Sequence, residues 1–466
     1  MKSQPGMGCL IGNPAGLFVL EPRVISYGKG ERPVKKKMPQ LDKIYLGDCL
    51  QILKSWPDAF LDTCITSPPY WALRDFGAYA ETVWDGDENC EHNFNAKKKT
   101  SGFCSKCGAW RGQLGLEPSF DLFIKHLCDI FDEIKRVLKP GGTCWVNMGD
   151  TYGGSMQGYG ATKNSKTGFQ KTPKNAGYYA SSKNKPPMAN MMQKCLLQIP
   201  SRLAIEMCKR GWILRNEIIW HKPNCMPTAV KDRFTVDFEK IFLFTKEKKY
   251  FFETQYEPML ESSRKRYKGK FTGSWSKNPH SSLAPREADP NRELPAQGRN
   301  KRTVWRIPGK PFRGAHFAVY PPELCETPIK AGCPEFICKK CGEPRKKIYD
   351  VTYEPRKKGG ETHKEVKISN QTRLTRGARR PSEMKYGSAD AIRRNVGMTD
   401  CGCNAWFKPG IVFDPFMGSG TTAMVAKRLG RRFLGTEANP EYKEMAERRL
   451  KDSNGKKINP NSKRKE

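Results

Sequence analysis

The chain has 466 residues, with 83 Lys and Arg against 48 Asp and Glu and a formal net charge of +35. That length holds a large α/β domain plus small appendages, and the basic excess, far beyond what solubility needs, points to a polyanionic partner, nucleic acid ahead of a membrane surface. No apolar run of about 18 residues is there to span a bilayer, no leader with an apolar core stands at the start, and 17 cysteines argue for reduced thiols and metal sites in a cytoplasmic protein, not a disulfide framework.

Residues 1–40 carry Gly, Pro and Lys35-Lys36-Lys37 and read as a flexible basic arm. Ile44-Tyr45-Leu46-Gly47-Asp48 is a strand followed by a short helix through Leu53; taken alone, Asp48 is a helix cap. Leu61-Asp62-Thr63-Cys64-Ile65 is a buried strand ending at Thr66-Ser67-Pro68-Pro69-Tyr70-Trp71. Two prolines fix φ twice and remove two donors, so the carbonyls of this stiff turn lack strand partners. With the Ser67 hydroxyl they can accept hydrogen bonds from an exocyclic amino group, and Tyr70 offers a face for a base. A plain Pro-rich loop is the other reading.

Residues 75–118 form a first insertion. Cys90, His92, Cys104 and Cys107 are four soft ligands in two close pairs, suited to one tetrahedral zinc. The Cys-x-x-Cys-Gly turn is its strong half, and His92 its weak one, an exposed loop histidine being the alternative. The metal would fold a segment too small and polar to build its own core. Residues 117–138 are apolar at three-four spacing, a helix stopped by Pro140-Gly141-Gly142; residues 143–148 are the next strand.

Residues 151–190 are rich in Gly, Ser, Asn, Lys163, Lys166, Lys171, Lys174, Tyr159, Tyr178 and Tyr179. They read as a lid over nucleic acid or as a disordered linker. Residues 203–209 are helical, and 212–220 and 238–244 are strands, with Arg233-Phe234-Thr235 between them. Residues 261–302 are polar, basic and Pro-rich, a nucleic-acid-facing loop. The second insertion, 331–408, holds Cys338, Cys341, Cys401 and Cys403 for another zinc, with Cys333 as a spare ligand. Its residues 344–395 are mainly basic with no apolar period, a loop that would grip phosphates; free cysteines in a disordered insert are the alternative.

Ile411-Val412-Phe413-Asp414 is a strand, then Pro415-Phe416-Met417-Gly418-Ser419-Gly420-Thr421-Thr422, then a helical pattern over 423–429. The glycine pair lets a ligand approach the backbone beside a helix N-terminus. Residues 433–437 form a second strand whose terminal acid, Glu437, is placed to accept both hydroxyls of a ribose. The turn lacks the full G-x-G-x-x-G spacing, which favours a nucleoside-like cofactor over a dinucleotide. Residues 453–466 are a basic tail.

Together the Ser-Pro-Pro-Tyr and Asp-Pro-Phe-x-Gly-x-Gly motifs resemble the amino-group DNA methyltransferases that use S-adenosylmethionine, over roughly 41–260 and 300–450 apart from the insertions. The motif order resembles the permuted β class, and Ser67 in place of Asp looks most like the members that methylate N4 of cytosine. The expected fold is α/β: a doubly wound, mostly parallel, Rossmann-like methyltransferase sheet in circularly permuted order, with two zinc-binding insertions. Its catalytic domain would be assembled from 41–74, 119–260 and 409–452. Between them lie the insertion 75–118, a DNA-recognition region 261–302, a cofactor-closing segment 303–330 and the insertion 331–408.

The resemblance implies Ser67, Pro68, Pro69 and Tyr70 as catalytic. It puts Asp48, Asp414, Pro415, Phe416, Gly418, Gly420, Thr421, Thr422, Glu437 and His316 around the cofactor, Asp48 beside the adenine and the His316 segment over the methionine end. Double-stranded DNA is the partner, with a cognate restriction endonuclease as a second candidate, in a bacterial or phage-infected cell. No Pro-Cys motif follows the strand, which argues against cytosine C5 chemistry. An adenine-N6 enzyme, an RNA methyltransferase and a non-catalytic zinc-dependent nucleic-acid binder are the alternatives.

Overall fold

The computed structural model describes residues 36–94, 102–153, 192–228, 230–257, 299–310, 319–354, 366–367 and 390–452. His316, most of the 1–40 arm, the lysine- and tyrosine-rich stretch after residue 153, nearly all of 261–302 and the tail 453–466 lie outside them. In chain order the elements are β1 (Lys43–Leu46), α1 (Cys49–Lys54), β2 (Leu61–Thr66), β3 (Glu81–Trp84), β4 (Trp110–Gln113), α2 (Phe120–Val137) and β5 (Leu138–Met148). Next come α3 (Ile199–Lys209), β6 (Ile213–His221), β7 (Phe238–Thr245), β8 (Tyr256–Glu257), β9 (Arg299–Asn300), β10 (Val304–Arg306) and α4 (Pro322–Gly332). The chain continues with β11 (Ile337–Cys338), β12 (Lys347–Glu354), β13 (Val366–Lys367), β14 (Asp390–Met398), β15 (Phe407–Lys408), β16 (Ile411–Asp414), α5 (Thr421–Arg428), β17 (Arg432–Glu437) and α6 (Pro440–Asp452).

Eight strands share one sheet in the order β1-β17-β16-β2-β5-β7-β6-β10. Only β7 is reversed, antiparallel to both β5 and β6, while every other neighbouring pair is parallel. Strand side chains alternate between faces, and here both faces are apolar. Cys64, Cys144, Phe242, Phe413 and Leu434 pack with the helices α1, α2 and α3. Their chain neighbours Ile65, Trp145, Leu243, Val412 and Phe433 pack with α4, α5 and α6. This is the expected doubly wound, mostly parallel sheet. Its permuted order is visible too, since the first strands of the chain flank the last ones.

The connections reverse between β16 and β2. α5 leaves β16 on one face and returns to β17, whereas α2 leads from β2 to β5 on the other. Such a switch point opens a crevice outside the carboxyl ends of the strands. Both motifs singled out in the sequence begin at those ends.

Three differences from the sequence expectation have physical causes. The helix α2 starts at Phe120, not 117, because Ser119 accepts from the Leu122 N–H as its N-cap, while Glu117 is buried in a separate hydrogen-bond set. Pro140-Gly141-Gly142 lies within β5, where the register to β2 jumps from Leu61↔Leu138 to Thr63↔Thr143. The second insertion is more than a basic loop: β12 pairs with β13 and β14 in a three-stranded sheet. Tyr349, Val351 and Tyr353 are the period-two signal that charge obscured. No helix among the described residues is long and apolar enough to cross a membrane.

The helix α4 closes over the sheet at its C-terminal end, where a Cβ on Gly332 would stand 2.3 Å from Thr143 Oγ1 and 2.7 Å from Trp145 Nε1. Gly332→Ala is therefore expected to cost about 1–3 kcal/mol through overpacking, measured by urea unfolding. Unchanged stability would mean that α4 does not rest on β5.

Candidate functional site

The Asp414 carboxylate, at the end of β16, is fully buried and receives four donors. Thr66 Oγ1, ending β2, donates to Oδ1 at 2.7 Å, and the Phe416 N–H to the same oxygen at 3.0 Å. Thr422 Oγ1 on α5 and the Tyr320 hydroxyl donate to Oδ2 at 2.6 and 3.1 Å. Burial pushes this carboxyl above its ordinary value, and the donors offset part of that shift. Burial and the Asp414 charge likewise push the Tyr320 hydroxyl well up. Asp414 thus binds β2, the turn 415–420, α5 and the entry to α4 into one unit.

On the β2 side, Pro68 is buried and Ser67, Pro69 and Tyr70 are partly exposed. The Tyr70 hydroxyl donates to Glu239 Oε2 at 2.6 Å and lies 3.3 Å from Ser67 Oγ. Burial, then the Glu239 charge, push the Tyr70 hydroxyl well above its ordinary value. Asn147 Nδ2 reaches Glu239 Oε2 at 2.7 Å, the Tyr70 oxygen at 3.0 Å and Ser67 Oγ at 3.4 Å. Lys222 holds the other Glu239 oxygen. Among the described residues Asn147 Oδ1, though buried, has no hydrogen-bond partner. Asn147, Thr66, Trp145, Tyr320 and Cys325 are among the residues that line a small cavity.

On the β16 side the turn 415–420 is folded by left-handed glycines, Gly418 at φ +51° and Gly420 at φ +80°. A Cβ on Gly420 would also stand 2.8 Å from that of Ala446 on α6. Arg449 on α6 donates to Ser419 Oγ at 2.7 Å, and Thr436 Oγ1 to the Pro415 carbonyl at 2.6 Å. Thr421 and Thr422 are buried; Phe416 is half-buried. Glu437 accepts from the Gly418 N–H at 2.7 Å and the Asn439 N–H at 2.9 Å, and burial pushes its carboxyl up to about 7. Leu46 pairs with Glu437, which puts Asp48 beside it on the same sheet edge. Asp48 caps α1 through the Gln51 N–H at 2.9 Å.

Both cysteine groups come together. The ligand atoms of Cys90, His92, Cys104 and Cys107 all lie within 4.8 Å of one another, as do those of Cys338, Cys341, Cys401 and Cys403. In the first group, Cys90 and Cys104 Sγ are 4.0 Å apart, and Cys107 Sγ is 3.3 Å from His92 Nδ1. Ligands around one tetrahedral zinc stand about 3.5–3.8 Å apart. Desolvation raises the Cys104 thiol, but backbone donors at Cys107, Lys106 and Asn93 bring it down to about 5. A backbone donor at Cys341 leads in holding Cys338 at about 6. Cys333, the spare ligand of the sequence reading, takes no part. It is buried behind α4, against Gly410.

The sequence reading missed Thr66, Asn147, Lys222, Glu239 and Tyr320 as site residues. Asn147 and Glu239 did carry a signal, each a polar residue within a strand that is otherwise mainly apolar.

Residues 61–350 and 404–448 match the family model described as DNA methylase. The type II methyltransferase M.Cfr9I of Citrobacter freundii is 30% identical over 417 residues, covering 87% of this chain and 87% of that protein. M.SmaI of Serratia marcescens is 28% identical over 408 residues, covering 88% and 90%. Among solved structures, PvuII DNA methyltransferase (cytosine-N4-specific) aligns at 14% identity and a TM-score of 0.40, covering 90% of this chain and 93% of that one.

Tyr70→Phe removes one donor from a charged carboxylate. It is expected to lower unfolding stability by about 1.5–3 kcal/mol. A loss below about 0.5 kcal/mol would mean that the hydroxyl does not hold Glu239.

Proposed function

The chain belongs to the DNA methylase family, in its amino-group β class, and on that premise we propose that it transfers a methyl group from S-adenosylmethionine to the exocyclic N4 amino group of cytosine in duplex DNA. The observation that carries this reading is the direction of the hydrogen bonds at the Ser-Pro-Pro-Tyr turn. Glu239, ion-paired with Lys222, can only accept. Tyr70 therefore donates to it, and Ser67 donates to the Tyr70 oxygen. The Ser67 oxygen, which accepts from Asn147 Nδ2, keeps one lone pair for an incoming N–H. The same carboxylate fixes the NH2 end of Asn147 and leaves Oδ1 as a second acceptor.

An exocyclic amine is a poor nucleophile because its lone pair is delocalised into the ring. Acceptors at Ser67 Oγ, the Pro68 carbonyl and Asn147 Oδ1 draw its hydrogens out of that conjugation, and attack then needs mainly positioning. The base leaves the duplex to reach them and stacks on Tyr70. Ser67, where the adenine-type motif has an acid, favours cytosine.

When bound, S-adenosylmethionine supplies an electrophilic sulfonium methyl group. Glu437 spends only part of its acceptor capacity on Gly418 and Asn439, which fits a ribose diol. Asp48 takes the adenine side. Pro415, Phe416, Gly418 and Gly420 form the wall, while Asp414, Thr421 and Thr422 hold that wall in shape. For the methionine end the family resemblance offers His316, which lies outside the described residues.

Double-stranded DNA is the partner that the +35 charge supports, and a cognate restriction endonuclease is a second. Phe234 and Met226, 96% and 89% exposed in the loop after β6, face the DNA. Cys90, His92, Cys104 and Cys107 would hold one zinc and Cys338, Cys341, Cys401 and Cys403 another, as their donor sets and spacings suit it.

Nucleosides from DNA incubated with the protein and cofactor are expected to contain N4-methylcytosine by mass spectrometry, and N6-methyladenine alone would overturn the base assignment. Glu437 adds a pH signature. Its folded value of about 7, against an ordinary 4.5, gives the cofactor-free protein a stabilising contribution that is complete below pH 4.5. That contribution is lost as pH rises through 7. Binding runs the other way, because the ionised carboxylate is the better acceptor. S-adenosylhomocysteine should bind about tenfold tighter at pH 8 than at pH 6, by calorimetry. This dependence should disappear in Glu437→Gln; a dependence shared by the variant would remove Glu437 from the cofactor site.

A further inference from the structure

The first cysteine group lies on a direct line of contacts to the loop that follows the Ser-Pro-Pro-Tyr turn. We propose that the Cys90, His92, Cys104 and Cys107 centre is a zinc-dependent clamp that sets this catalytic loop, so that metal loading governs methyl transfer without governing cofactor binding. The proposal rests on the methyltransferase reading for its last step alone.

The line begins at the ligands. His92 packs on Gly86, where a Cβ would stand 2.9 Å from His92 Cε1 and 2.9 Å from Ala109 Cβ. The metal group therefore fixes the connecting end of the hairpin formed by β3 and β4, paired from Glu81↔Gln113 to Trp84↔Trp110. Trp84 and Trp110 stack on the buried imidazole of His126, on α2, with ring centroids 4.5 and 5.6 Å away. His126 Nε2 is 3.0 Å from Asp85 Oδ2, and its Nδ1 is 3.1 Å from Glu117 Oε1. The hairpin is thus keyed to the core through one histidine.

From there the hairpin and the residues after it hold the loop by its backbone. Glu117 accepts the Gly115 N–H at 2.7 Å and, through its own carbonyl, the Trp71 indole N–H at 3.1 Å. The Ala72 N–H donates to the Gly115 carbonyl at 2.6 Å. Gln113 accepts the Phe76 N–H and donates to the Arg74 carbonyl, both at 2.8 Å. Ala72 sits at φ +57°. A non-glycine residue stays in that left-handed region only where its surroundings over-determine it, and here those surroundings are the hairpin. Tyr70 lies two residues before this strained residue and Ser67 five.

The segment has little else to fold around. Between Trp84 and Trp110, the buried apolar residues among those described are Cys104 and Ala109. A small polar excursion of this kind takes its folding energy from the metal. The hydrogen bonds to Cys104 Sγ from the Asn93 and Lys106 N–H groups, at 3.3 and 3.4 Å, are suited to holding a thiolate ligand.

The test uses the full-length protein. Metal analysis should find about two zinc per chain, and about one in each of Cys104→Ser and Cys341→Ser. In Cys104→Ser, hydrogen exchange at the Ala72 and Phe76 amides should accelerate at least about tenfold. The kcat for methyl transfer should fall at least about thirtyfold, with S-adenosylhomocysteine affinity kept within about twofold. In Cys341→Ser those two amides should be unaffected. If Cys104→Ser fails to fold, chelation of the wild-type protein and re-addition of zinc read the same amides.

Two zinc retained in Cys104→Ser, or unchanged exchange or kcat after its metal is lost, would overturn the proposal. Metal content and exchange are read without DNA. A wild-type protein that passes both but methylates nothing would therefore sink the functional reading and leave the clamp supported.

Discussion

One buried hydrogen bond, from Thr66 Oγ1 to Asp414 Oδ1 at 2.7 Å, joins residues 348 positions apart. A carboxylate without water is costly unless its lone pairs are filled. Asp414 meets that condition with four donors drawn from β2, the glycine turn, α5 and the approach to α4. None of those segments can shift without orphaning a buried charge. The Ser-Pro-Pro-Tyr turn and the glycine turn are therefore held at fixed positions on either side of one switch point.

The Ser-Pro-Pro-Tyr side is organised by a second carboxylate. Glu239 stands on β7, the one reversed strand of the sheet. A residue near the start of a reversed strand lies at the same edge as residues that end the parallel ones, which brings Glu239 to Tyr70, Ser67 and Asn147. Strand reversal thus has a chemical consequence, since it delivers the acceptor that orients the Tyr70 hydroxyl and the Asn147 amide.

How much of this the sequence disclosed follows from the range of each interaction. The two turns, the helix α2, the strands around the switch point and both cysteine groups are written in local patterns: prolines after an apolar strand, glycines before a helix, paired cysteines. These are legible because the physics that makes them acts within a few residues. Glu239, Lys222 and Asn147 were not read as site residues, because their meaning depends on strand order. Asp414 was read as a cofactor contact, and its carboxylate is committed to protein donors, a distinction that only packing reveals. The sheet of β12, β13 and β14 was hidden because a high density of charge masks a two-residue alternation.

The most direct test of the central claim is a double-mutant cycle between Thr66→Val and Asp414→Asn, read by urea unfolding and by S-adenosylhomocysteine binding. If the two turns are held together through this pair, the cycle should give a coupling energy of about 1–3 kcal/mol in stability, with loss of cofactor affinity in the Asp414 variant. Strictly additive single effects would show that the halves of the site are assembled by something other than Asp414.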